Sequence, residues 1–117
     1  MHRRKIARIL IVDDEEPFRE ILAAVLNHYG SYECRHVPSG VDALRLLDAG
    51  EKFDLVTCDI MNIPMDGFEF LKQMGKRFPK IPVLVITASR NVNTPHYLHK
   101  DDCGGEKLLA AVQSVIS

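Results

Sequence analysis

The sequence predicts an α/β domain in which a parallel sheet is covered by helices on both faces. Three observations carry this expectation. The runs "RILIV", "DLVTC" and "PVLVIT" are apolar without alternation, which implies strands buried on both faces. Segments between them place apolar residues at helical spacing. The two kinds of segment alternate, and strand–helix alternation builds parallel strands joined by crossover helices.

Each element can be read in order. Residues 8–14, "RILIVDD", form a buried strand that runs into acids. Residues 16–30 read as a helix with Phe18, Ile21, Leu22, Val25 and Leu26 on its apolar stripe and Gly30 at its stop. Residues 32–37 are a short strand. Residues 38–50 are a helix with Ser39 as N-cap and Gly50 past its end. Residues 53–60 form a strand ending in an acid. A helix follows at 66–78, with Phe68, Leu71 and Phe78 as core candidates. Residues 82–88 are a fourth buried strand, and 105–117 are the last helix, with Leu108, Leu109, Val112 and Ile116 on one stripe. Residues 89–104 are less regular: they hold one short strand candidate, "HYLH", and no convincing helix.

Composition narrows the classes. A length of 117 residues fits one domain with one tail, the basic "MHRRK" at 1–5. Apolar content of 46% and charged content of 26% fit a globular chain rather than a disordered one. A net charge of −1 supplies no global field for nucleic acid, so direct nucleic-acid binding is not expected. No apolar run approaches the roughly 18 residues of a membrane span, and no signal peptide is recognisable. Cys34, Cys58 and Cys103 are odd in number and form no CxxC pair, which suits reduced thiols in a cytoplasmic protein.

Ligands of open parallel sheets bind beyond the carboxyl ends of the strands. Those ends carry Asp13 and Asp14, then Asp59, then Thr87, and on the fifth short strand Lys100. Clustered carboxylates repel unless a hard cation such as Mg2+ neutralises them. A carboxylate can also act as a nucleophile, and phosphoryl transfer needs mainly positioning and charge neutralisation. Each residue alone has a plainer reading. A lone strand-end Asp is usually a turn former, an Asp pair a solvated surface, a strand Thr a β former, and a lone Lys a solvated side chain. Their coincidence on one edge favours a shared cation and phosphoryl site.

Over roughly residues 6–117 the chain resembles the receiver domain of two-component response regulators, of the chemotaxis-regulator type. "ILIVDDEEPFREIL" is similar to the family's first strand, acidic pair and helix. "DLVTCDIMNIPMDGFEFL" resembles the stretch around its phosphoacceptor, "PVLVITAS" its Thr/Ser strand, and "YLHKDD" its Lys-bearing end. The resemblance implies a flavodoxin-like, doubly wound five-stranded sheet in the order 2-1-3-4-5. It implies that Asp59 is the phosphoacceptor and that Asp13, Asp14, Asp59 and the Met61 carbonyl hold Mg2+. Thr87 and Lys100 would bind phosphoryl oxygens, and Tyr97 would be the switch aromatic. A sensor histidine kinase or phosphotransfer protein would donate phosphate, and the domain would later hydrolyse its own acyl phosphate.

The chain departs from the family in three places. Ile63 stands where a Pro is usual, with Pro64 after it and Gly67 at its normal distance. The segment between Thr87 and Lys100 is short by about nine residues, roughly two and a half turns, so the family's fourth helix is expected to be absent or replaced by an irregular stretch at 89–96. Asp101 replaces a Pro after Lys100, which would remove a rigid constraint. The 89–104 face is therefore the expected site of an output partner. The competing reading is a phosphorylation-independent pseudo-receiver interaction module. A flavodoxin-like cofactor binder lacks a glycine-rich phosphate loop, and a haloacid-type phosphatase would need Asp where Met61 stands. No effector domain is visible, and the sequence leaves open whether the domain stands alone.

Overall fold

A computed structural model of the chain describes residues 6–59, 67–88 and 96–116. The expected tail at 1–5, Met61, the Ile63–Pro64 loop and residues 89–95 lie outside the described residues. The strands are β1 (Arg8–Val12), β2 (Glu33–Val37), β3 (Leu55–Cys58), β4 (Val83–Thr87) and β5 (Tyr97–His99). The helices are α1 (Glu16–Gly30), α2 (Gly40–Asp48), α3 (Gly67–Arg77) and α4 (Glu106–Ile116). All strand pairings are parallel, in the order β2-β1-β3-β4-β5. This is the predicted doubly wound sheet.

The central strands β1, β3 and β4 are largely apolar because both faces are buried, whereas the edge strand β2 carries Glu33, Arg35 and His36 and stays partly exposed. Side chains alternate between two cores. Leu10, Val12, Val56, Cys58 and Val85 point to one face, where they meet Ala43, Leu44 and Leu47 of α2 and Phe70 and Met74 of α3. Ile9, Ile11, Leu55, Leu84 and Ile86 point to the other, where they meet Leu22 and Leu26 of α1 and Leu108 and Val112 of α4. Cys58 and Cys103 are buried free thiols, and burial pushes Cys103 up to about 12, so it stays protonated and unreactive.

Local chemistry sets the helix ends. Ser39 is the predicted N-cap of α2: its Oγ accepts from the Asp42 amide at 3.1 Å. α1 stops at Gly30, as expected. The left-handed residue is Ser31 (φ 57°), not Gly30. Gly30 is needed for close approach instead, because a Cβ there would lie 2.6 Å from the Tyr32 ring.

Two core assignments change. Ile21 is 55% exposed, since it sits about 100° around α1 from Leu22, at the margin of the buried stripe. Phe68 is 63% exposed, because α3 buries Phe70 and Met74, and Phe68 lies about 200° away from Phe70. Tyr97 packs against the α2–α3 core, while its neighbour Leu98 takes the α1–α4 side.

Near β5 the described residues show how much sheet is left open. An apolar groove of about 260 Å³ runs between α3 and β4, lined by Leu71, Met74, Gly75, Val83, Val85 and His96 among others. Val85 is buried and Val83 half-buried. Whether a helix occupies the β4–β5 connection lies outside the described residues except for Ala88 and His96.

Thr57 in β3 is 1% exposed, and its hydroxyl has no hydrogen-bond partner among the described residues. Thr57→Val removes an unpaired polar group at nearly constant shape, and should raise unfolding free energy by about 1 kcal/mol in urea titrations. Phe70→Ala should lower it by about 3–5 kcal/mol in the same assay.

Candidate functional site

The site forms where β1 and β3 end side by side. Ladder hydrogen bonding continues one residue past each strand. The Asp13 amide donates to the Val37 carbonyl and the Asp59 amide to the Val12 carbonyl, both at 3.2 Å. Asp13 and Asp59 are therefore held by sheet backbone, and both are only 2% exposed. After Asp13 the chain must leave the sheet and enter α1. The Asp13 carboxylate supports this turn by accepting from the Glu15 amide at 2.8 Å. Arg19, itself buried, donates from Nη1 to the Asp13 carbonyl at 2.7 Å and from Nε to His36 Nδ1 at 3.1 Å.

Lys100 reaches this carboxylate pair from the far side of the sheet. Its Nζ lies 2.8 Å from Asp59 Oδ2, 3.1 Å from Asp13 Oδ2 and 2.8 Å from Glu15 Oε1. It also stands over the Phe18 ring, 4.3 Å from the centroid. Burial acts to lower the Lys100 pKa, but the hydrogen bonds to Asp59, Glu15 and Asp13 outweigh it and raise the pKa above the ordinary value. The ammonium is therefore fully charged at neutral pH. Asp13 is raised above the usual carboxylate range, first by burial and further by the Asp59 charge. The Glu15 amide and Lys100 offset only part of this.

The remaining predicted residues occupy the same rim. Asp14 is exposed at the mouth, and one oxygen from each of Asp13, Asp14 and Glu15 falls within a 4.8 Å cluster suited to a metal ion. Thr87 ends β4 fully buried, in register with His99, which precedes Lys100. Tyr97 is half-buried on β5, two positions before His99. The Met61 carbonyl lies outside the described residues. The structure thus brings Asp13, Asp59 and Lys100 into direct contact and sets Asp14 and Thr87 on the same edge.

Sequence reasoning missed Glu15, Phe18 and Arg19. Glu15 directly follows Asp13 and Asp14, and that adjacency was its signal in the sequence. Phe18 and Arg19 gave none, since a helix aromatic and a helix Arg ordinarily pack or meet solvent.

The donor set fits a hard divalent cation. It is all oxygen, its Asp13 carboxylate is buried and incompletely compensated, and the buried Asp59 lies beside it. A cation held on this rim, together with the Lys100 ammonium, could stabilise an anionic group transferring to a strand-end carboxylate.

Comparison with known proteins agrees with this geometry. Residues 9–104 match the family model described as the response regulator receiver domain. The transcriptional regulatory protein ZraR of Klebsiella oxytoca is 42% identical over 86 residues, covering 74% of this chain. The chain spans only 19% of that relative's length. The response regulator protein TrrA of Thermotoga maritima, solved in complex with Mg(2+)-BeF, superposes with a TM-score of 0.83 at 27% identity, covering 94% of this chain and 99% of the other. TrrA in complex with histidine kinase ThkA gives a TM-score of 0.80 at 27% identity, covering 96% of this chain and all of TrrA.

The raised Asp13 pKa has a definite sign for stability. Below the unfolded value of 3.8 the group is protonated in both states and carries no penalty. As pH rises through 3.8 and then through the higher folded value, the unfolded state ionises first and stability is lost. Metal-free Asp13→Asn should therefore resist urea better than the parent at pH 7. The difference should disappear below the unfolded value; a constant difference across pH would contradict the assignment.

Proposed function

The chain belongs to the response regulator receiver family, and from that premise we propose that it is a phosphoacceptor domain that takes a phosphoryl group from a histidine kinase onto Asp59. The observation that carries this reading is the Asp59 carboxylate itself, 1% exposed and held 2.8 Å from Lys100 beside Asp13. A nucleophile there needs neighbours that accept the charge of the arriving group, and it has them. A new P–O bond forms to an Asp59 carboxylate oxygen as the P–N bond of the donor phosphohistidine breaks. The electron pair leaves with the imidazole nitrogen. Hydrolysis reverses the state: water attacks phosphorus, and the aspartyl oxygen departs.

Asp13, Asp14 and Asp59 are the side chains proposed to hold Mg2+, with the Met61 carbonyl, outside the described residues, as a further ligand. When bound, Mg2+ neutralises charge on the carboxylates and on the phosphoryl oxygens. Lys100 then has a second task besides pairing with acids, namely to hold a phosphoryl oxygen. Thr87 is proposed to hold another, and Tyr97 to follow its movement. In this reading phosphorylation biases a two-state equilibrium, because Lys100 and Thr87 interact differently with a bare and a phosphorylated Asp59. The whole chain is read as a single cytoplasmic receiver domain with its output surface near 89–104. The ThkA–TrrA complex supports a histidine kinase as the partner class, and the TrrA Mg(2+)-BeF complex supports Mg2+. Among the described residues no helix is long and apolar enough to cross a membrane.

Acetyl phosphate with MgCl2 should add one phosphoryl group to the intact protein, as read by mass spectrometry. EDTA or Asp59→Asn should abolish the adduct. Modification that persists in Asp59→Asn would refute the assignment of Asp59. A protein that binds Mg2+ and never takes phosphoryl, with beryllofluoride also failing to bind, would favour the phosphorylation-independent module.

A further inference from the structure

The Lys100 turn lacks the proline that the family resemblance leads one to expect, yet Lys100 is held on three carboxylates. The hydrogen bonds around His99 account for this. His99 is the last residue of β5, and its side chain is only 9% exposed. Its Nε2 lies 2.8 Å from the Ala88 carbonyl, and its Nδ1 accepts from the Asp101 amide at 3.1 Å. The neutral tautomer with the proton on Nε2 satisfies both bonds at once. The Asp101 carboxylate also lies near, with Oδ2 3.4 Å from Nδ1.

These bonds join two places that matter to the site. Ala88 follows Thr87 directly, and Asp101 follows Lys100 directly. Thr87 and His99 are register partners across β4 and β5. The imidazole therefore ties the residue after Thr87 to the residue after Lys100, across the sheet edge. Beyond it, Lys100–Asp102 form a single 3-10 turn closed by the Cys103 amide on the Lys100 carbonyl at 3.2 Å. The Cys103 thiol is 3.6 Å from the His99 carbonyl. A proline at 101 would have no amide hydrogen to donate. The residue that departs from the family pattern is thus the one that supplies the donor His99 uses.

We propose that His99 is a positioning residue that clamps the Lys100 turn to the end of β4, holding the Lys100 ammonium on Asp59 and keeping it at a set distance from Thr87. This inference rests on the reading of Asp59 as phosphoacceptor for its catalytic consequence, but not for the clamp itself. The clamped ammonium contacts Asp13 Oδ2 and Asp59 Oδ2, so a cation binding to these oxygens competes with it. Release of the clamp makes that competition weaker. It also lets Lys100 wander from the position in which it meets a phosphoryl oxygen, and small misplacements are expensive in group transfer.

The test compares His99→Leu, which keeps volume without polar atoms, with His99→Asn, whose Oδ1 can accept from the Asp101 amide. Mg2+ affinity is read by amide NMR during MgCl2 titration, and phosphorylation by the rate of adduct formation with acetyl phosphate. His99→Leu should bind Mg2+ about threefold more tightly and phosphorylate about tenfold more slowly. His99→Asn, which keeps an acceptor for the Asp101 amide but loses the Ala88 bond, should fall between the parent and His99→Leu in both. The opposite signs separate a clamp from general loosening, which would weaken both. A His99→Leu protein equal to the parent in both assays, or weakened in both, overturns the inference. Tighter Mg2+ binding in His99→Leu with no phosphorylation of any variant, the parent included, supports the clamp and refutes the Asp59 reading instead.

Discussion

Two buried carboxylates, Asp13 and Asp59, share one ammonium, and the rest of the architecture is arranged around that constraint. Ionised acids at neighbouring strand ends repel, and each loses hydration on burial. Lys100 is the cation that meets both, at 3.1 and 2.8 Å. It belongs to the strand at the far edge of the sheet, so the charge balance holds only if the order β1-β3-β4-β5 and its register hold.

That requirement explains why so much of the chain is spent on rigidity. Strands buried on both faces carry two separate cores, and together these offset the cost of burying charge at the rim. Local bonds then set the finer position. Arg19 and the Glu15 amide pin the turn at Asp13, while His99 pins the turn at Lys100. Phe18 and Glu15 flank the ammonium on its α1 side. Compensation remains incomplete at Asp13, whose carboxylate is still raised.

Much of the fold was legible because a buried parallel strand has a plain signature: an unbroken branched apolar run. Its end is equally plain when the next residue is an acid, as at Val12–Asp13 and Cys58–Asp59. Helix stripes were legible more coarsely. Ile21 and Phe68 are apolar and at helical spacing, yet they face solvent, since spacing alone does not say where the stripe is centred. The stop of α1 at Gly30 was legible, while the left-handed turn falls on Ser31 and Gly30 leaves room for the Tyr32 ring.

The sequence by itself determined the sheet class, the strand ends and the set of groups placed on one edge: Asp13, Asp14, Asp59, Thr87 and Lys100. These follow from local chemistry, where burial demands apolar residues and strand ends expose what comes next. Only the tertiary structure decided that Glu15 and Phe18 join Lys100, that Arg19 turns inward to the Asp13 carbonyl, and that His99 bridges residues 88 and 101. Such contacts link residues up to 85 positions apart, as between Glu15 and Lys100. Their distances come from strand order and register, which bring together side chains that share no local pattern.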